Sequence, residues 1–178
     1  MDVMSAIEKR REITSFKQET ISSETLEQLV RALYLAPSGN NLPSRESIVV
    51  TDRDMLNQLS KTTPYMKWLE QAAVGFVITG NPELSKYWLQ DATIAGSFLW
   101  LASTSYQLGA AWGAVYHSED AEESKQRECY VRELLNIPQS LRVIAIIGVG
   151  HPAVDPAPKQ MYPIEKVLHR ERYEHKEG

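Results

Sequence analysis

From Leu84 to Gln107 the chain carries a segment of helical periodicity that is apolar on most faces, and no other stretch restricts the fold so strongly. A helix that is apolar all round has to be enclosed. Asp91 and several polar side chains interrupt the run, so it does not read as a membrane span, and the rest of the chain must wrap it. At 178 residues the chain fits one domain that buries about two thirds of its unfolded surface. A charged fraction of 24% beside 43% hydrophobic residues sets aside disordered, collagen-like and coiled-coil readings.

The wrapping elements are short. Residues 2–11 have an amphipathic helical pattern, and Ser22 to Leu35 a second one, starting at a Ser-Ser cap and stopping before Pro37. Ile48 to Thr51 is a β-branched run. Asp52 then caps a helix to about Ser60, and Pro64 opens another over Tyr65 to Gln71. Ala73 to Thr79 is a buried strand ending at the Gly80-Asn81-Pro82 turn signal. Gly109 ends the long apolar helix, Trp112 to Tyr116 forms a strand, Glu119 to Leu135 a charged amphipathic helix, and Arg142 to Val149 the plainest strand of all. Four or five strands separated by helices suit either a doubly wound parallel sheet or an α+β arrangement, and the pattern alone does not decide. No linker or repeat divides the chain, so residues 1–178 are expected to form one domain, with about 151–178 as an extended tail.

Net charge is −4 and no basic run occurs, which argues against a nucleic-acid surface. The N-terminal sequence lacks the apolar core of a secretory signal, and the single cysteine, Cys129, cannot close an internal disulfide, so a reducing cytoplasm is expected. Cys129 has no nearby histidine to activate it and is assigned no role. Gly148-Val149-Gly150 lacks the third glycine and following helix of a dinucleotide fingerprint, and Pro152 forbids that helix. His169 and His175 stand in a Lys/Arg/Glu-rich end with no further soft ligand, so no metal site is expected there.

Two short segments could meet a ligand. Arg10 and Arg11 close the first helix, where paired guanidinium groups can grip a phosphate, although such a pair is also an ordinary solvated face. Ala36-Pro37-Ser38-Gly39-Asn40-Asn41 is a loop of turn formers with amide donors suited to a planar heterocycle. In order, RREITSF at 10–16, APSGNNLP at 36–43, PYMKWLEQAAVGFVITG at 64–80, the 88–116 run ending LGAAWGAVY, VRELLNIP at 131–138 and IIGVGHP at 146–152 resemble the nitroreductase family across nearly the whole chain.

That resemblance implies an α+β fold with a central, mostly antiparallel sheet flanked by helices. It implies a homodimer whose C-terminal extension wraps its partner, FMN at the dimer interface, and hydride delivered by NADH or NADPH. By the same resemblance Arg10 and Arg11 hold the FMN phosphate, with Glu12 and Thr14 following in that motif. Pro37, Ser38 and Asn41 meet the flavin from the other subunit. Trp112, Gly113 and Ala114 pass the ring near N5 and O4, where Gly113 permits close approach, and Lys159 completes the phosphate site.

The chemistry implied is ping-pong transfer to a small-molecule acceptor such as a nitroaromatic or quinone, with no side-chain acid or base assigned. The sequence departs from the family pattern at Glu12, Thr14 and Met161, where polar or basic residues are usual, and at Pro43-Ser44-Arg45, where Arg45 could restore a charge. Two alternatives follow from those departures: a flavin-binding or sensing protein with little turnover, and a flavin-free dimeric interaction protein on the same fold.

Overall fold

The structure is a computed structural model that describes residues 1–173; His175 therefore lies outside the described residues. Nine regular elements follow in order: α1 (Val3–Lys9), α2 (Ser23–Leu35), β1 (Arg45–Val50), α3 (Arg53–Leu59), β2 (Val74–Gly80), α4 (Trp88–Ser105), β3 (Gly109–Ala114), α5 (Ala121–Leu135) and β4 (Arg142–Gly150). Short 3-10 turns fill the gaps, chief among them Pro64–Glu70. The caps sit where the sequence indicates: Ser22 accepts from the Thr25 N–H at 3.1 Å, and Asp52 from the Met55 N–H at 2.8 Å.

The strands form one sheet in the order β1-β2-β4-β3, antiparallel at every pairing. This removes the parallel alternative. β2 is buried throughout and β4 from Val143 onward, because helices cover both faces. On one face α2 and α4 pack Leu29, Leu33, Ala95 and Leu99 against Phe76, Ile78 and Ile147. On the other, α3, the 64–70 turn and α5 pack Leu56, Leu69 and Val131 against Val77 and Ile146. Each such side chain contributes roughly 1.5–3 kcal/mol on burial.

Several expected boundaries shift. The first helix ends at Lys9, and the 65–71 segment takes 3-10 rather than α geometry after Pro64. α4 begins at Trp88, not Leu84, because Asn81 draws the preceding residues into a turn, its carbonyl accepting from Leu84 and Ser85 and its side chain from Glu83 at 2.9 Å. Gly109 does not end α4. Gln107, at φ 61°, makes the reversal, and Gly109 opens β3, which ends at Ala114 rather than Tyr116. α5 starts at Ala121, capped by Asp120. After Pro152 the chain is exposed nearly throughout, with one 3-10 turn at Ile164–Lys166.

Candidate functional site at the open edge of the sheet

β3 pairs with β4 along one side only, so its other side is a sheet edge. The segment after α1 covers part of it: Glu12 bridges to Ala110, and the Ile13 N–H donates to the Ala110 carbonyl at 3.0 Å. Phe16 continues against Pro152, and its N–H donates to Gln71 Oε1 at 3.2 Å. Beyond Ala110 the edge opens. Backbone groups alternate sides along an antiparallel strand. The Ala110 and Ala114 carbonyls both face away from β4, taken by Ile13 and Arg127. Trp112, which shares their parity, therefore turns its N–H to the same side, beside that of Ala114.

A cavity of about 390 Å³ lies at this edge, lined by Glu12, Thr14, Thr63, Tyr65, Met66, Trp68, Trp112, Gly113, Ala114 and Arg127. Five of the sequence-predicted site residues thus meet in one place. The space over Gly113 is used by the protein itself: a Cβ there would stand 2.6 Å from Met66 Cε, so the glycine admits Met66 into the core wall. By the same alternation Gly113 turns its own backbone toward β4, which leaves Trp112 and Ala114 as the outward donors.

Arg10 is tied to this wall by ring contacts. Its guanidinium lies 4.7 Å from the Trp100 ring centroid, and Trp100 stacks on Trp112 with centroids 6.5 Å apart and planes 16° from parallel. Trp100 Nε1 donates to the Arg11 carbonyl at 3.1 Å. Arg11 turns away, donating to the carbonyls of Glu8, Arg10 and Ala157, and lines a separate cleft of about 750 Å³ with Pro156 and Pro158. Lys159 follows two residues after Ala157 and is exposed.

Pro37, Ser38 and Asn41 do not reach the β3 cavity within one chain. They line a third groove of about 570 Å³ with Tyr34, Leu42, Arg45 and Val49. Their loop is latched to α4 by Asp91, which is 3% exposed and accepts from the Gly39 N–H at 2.8 Å and the Ser44 hydroxyl at 2.5 Å. Asn40 and Asn41 take left-handed backbone, and Ser38 Oγ donates to the Leu42 carbonyl at 2.7 Å. Arg45 lines the same groove. It donates to the Leu33 and Ala36 carbonyls at the end of α2, where burial lowers its guanidinium pKa and Asp91 pushes it back up. Sequence reasoning treated Asp91 only as a break in an apolar run. A lone acid inside such a helix was the available signal, since a buried carboxylate needs partners.

The chain is thus of the α+β class, one antiparallel sheet with helices on both faces and a cavity with aromatic walls at a strand edge. The nitroreductase family model matches residues 7–63 and 53–151, and the chain belongs to that family. A protein of Archaeoglobus fulgidus, provisionally named an NADH dehydrogenase/NAD(P)H nitroreductase, is 32% identical over 155 residues, 85% of this chain and 86% of the relative. A crystal structure of a protein with the same provisional name from Bacteroides thetaiotaomicron superposes with a TM-score of 0.87 at 30% identity, covering 96% of this chain and 98% of that one. An FMN-dependent nitroreductase of Clostridium difficile gives 0.83 at 28% identity, covering 96% and 99%.

Proposed function

We infer that this member of the nitroreductase family is an FMN-dependent NAD(P)H oxidoreductase, working as a dimer of identical chains on a small-molecule acceptor such as a nitroaromatic or a quinone. The observation that carries the reading is the β3 edge. Outward N–H groups at Trp112 and Ala114, aromatic walls and the Arg10–Trp100–Trp112 stack form a donor set that fits a flavin ring with a phosphate at one end. FMN supplies hydride acceptance and donation when bound.

The chain's part is to bind and orient. Arg10, held over Trp100, presents a guanidinium for the phosphate, with Arg11 and Lys159 on the tail side. The Trp112 and Ala114 amides would hold the polar edge of the ring. Donor and acceptor would use the same exposed face in turn, the first leaving before the second binds, which is ping-pong order. Parallel lines in double-reciprocal plots would support it, and intersecting lines would refute it.

The second copy is supported by α4, whose outer face shows Ile94 and Phe98 to solvent in a single chain. Thr93 and Ser97 on that face spend their hydroxyls on the Leu89 and Thr93 carbonyls at 2.7 and 2.9 Å, leaving an apolar surface. A second chain packed there would bring its Pro37–Asn41 loop to the flavin, and its tail would wrap the partner. Among the described residues no helix is long and apolar enough to cross a membrane. The half-buried thiol of Cys129 suits a reducing cytoplasm.

The test is the visible spectrum of purified protein with added FMN, then anaerobic NADH and NADPH in turn. Flavin absorbance that bleaches with nicotinamide is expected. Bound FMN that resists bleaching would favour the low-turnover reading, which the uncharged Thr14 in the cavity wall motivates, and colourless protein would favour the flavin-free reading, which Glu12 motivates, and overturn flavin chemistry altogether.

A further inference from the structure

Arg127 is the one basic side chain among the residues lining the β3 cavity, and it comes from α5, an element that neither the motifs nor the comparisons assign to the site. It is held in place from two sides: one terminal nitrogen donates to the Ala114 carbonyl at 3.2 Å, and the other pairs with Glu123 one turn back on α5. An arginine carries more N–H donors than these two contacts use. Its side chain is 13% exposed, against 42% for Glu123, so the cation is the shielded member of the pair and the carboxylate the solvated one. His117 Nε2 lies 3.7 Å from the other Glu123 carboxylate oxygen. The same cavity is lined by Glu12, an acidic residue, and by Thr14, which carries no charge.

We propose that Arg127 is a positioning residue for the flavin, supplying beside the ring the positive charge that the Arg10–Phe16 segment lacks at Thr14. The inference rests on the FMN reading above. The oxidised ring is neutral and the doubly reduced ring carries negative charge at neutral pH, so a partly shielded cation beside it holds the reduced form more tightly than the oxidised one. An opposite charge within hydrogen-bonding range shifts such an equilibrium by about tenfold or more, and the half-exposed Glu123 cancels part of that.

The experiment measures the Kd of oxidised FMN by fluorescence titration and the reduction potential of the bound flavin against a reference dye, in wild type, Arg127→Gln and Glu123→Gln. Arg127→Gln should weaken binding of reduced FMN about tenfold more than that of oxidised FMN, a fall of about 30 mV for a two-electron couple. Glu123→Gln leaves the cation without its counter-charge, so the ratio should move about threefold the other way. A purely structural role would weaken both forms alike. An unchanged ratio in either variant, with oxidised FMN still bound, would overturn the assignment of Arg127 alone. Failure of wild type to bind FMN would overturn the site reading and this inference with it.

Discussion

At Asp91 a single side chain decides the shape of a whole loop. Its carboxylate holds Gly39 and Ser44 at the start of α4, so the Pro37–Asn41 segment is offered as a fixed surface and not as a loose turn. Asp91→Ala should strand the buried Ser44 hydroxyl, at about 1–3 kcal/mol, and leave the half-buried Gly39 N–H to water, read as a lower midpoint in urea unfolding. The same variant should also bind FMN more weakly, since a loosened loop has to be ordered on binding. Arg10 acts on the same scale. Its guanidinium is held over the Trp100 ring. Arg10→Ala should therefore release FMN while the dimer persists; flavin content equal to wild type after gel filtration would remove Arg10 from the phosphate site. The pairs of the Arg10–Phe16 segment with β3 and of Asp91 with the loop join residues far apart in sequence. No local pattern names the partners in such contacts, which is why Arg127 escaped the sequence reading and Asp91 was read only as a break in an apolar run, while Arg10 and Trp112 stand in motifs that resemble the family's.

Among the elements, α5 and β4 are joined by a buried charge cluster. Glu128, 2% exposed, accepts from Arg142 Nε at 2.9 Å and from the Val143 N–H at 3.0 Å, and Arg132 lies 3.5 Å from it while donating to the Leu141 carbonyl at 2.7 Å. The hydrogen bonds to Glu128 raise the Arg142 guanidinium pKa, and Arg142 also packs over the Trp88 and Tyr116 rings. Glu128→Ala would leave buried Arg132 without its carboxylate, at about 3–5 kcal/mol, and circular dichroism during urea unfolding would register the loss. In α4 the predicted effect falls on assembly. Phe98→Glu puts a charge on the apolar outer face and should yield monomer by sedimentation, with the fold retained because Phe98 is 41% exposed in the single chain. Asp120 caps α5 one residue past its expected start at Glu119, while the helix caps at Ser22 and Asp52 were readable from local sequence. The end of α4 was not, because a glutamine in left-handed backbone there depends on the strand that follows.

For the molecule as a whole, the apolar surface left open by one chain is the main fact. Val154, Met161, Tyr162, Ile164, Val167 and Leu168 all lie on the exposed tail, and α1 and α4 add Met4, Ile7, Ile94 and Phe98. Exposed apolar side chains in that number fit the proposed packing of two chains. Ending the chain after Pro152 should leave the sheet and its helices folded, since the tail lies outside both core clusters, but should weaken dimerisation and lower FMN affinity together. A truncated chain that sediments as a dimer with unchanged flavin binding would deny the tail its wrapping role.

Local patterning was enough for the long apolar α4 and the buried β2 and β4, because periodicity, caps and turn residues act over a few neighbours, whereas the α+β class and the segments expected to face a ligand came from the family resemblance along the chain. Antiparallel order at every pairing, the latch at Asp91, Met66 in the space over Gly113 and Arg127 at the cavity wall were decided only when distant segments came together. Each depends on which face of one element meets which face of another, and that choice is made by packing the sheet between its two helical layers.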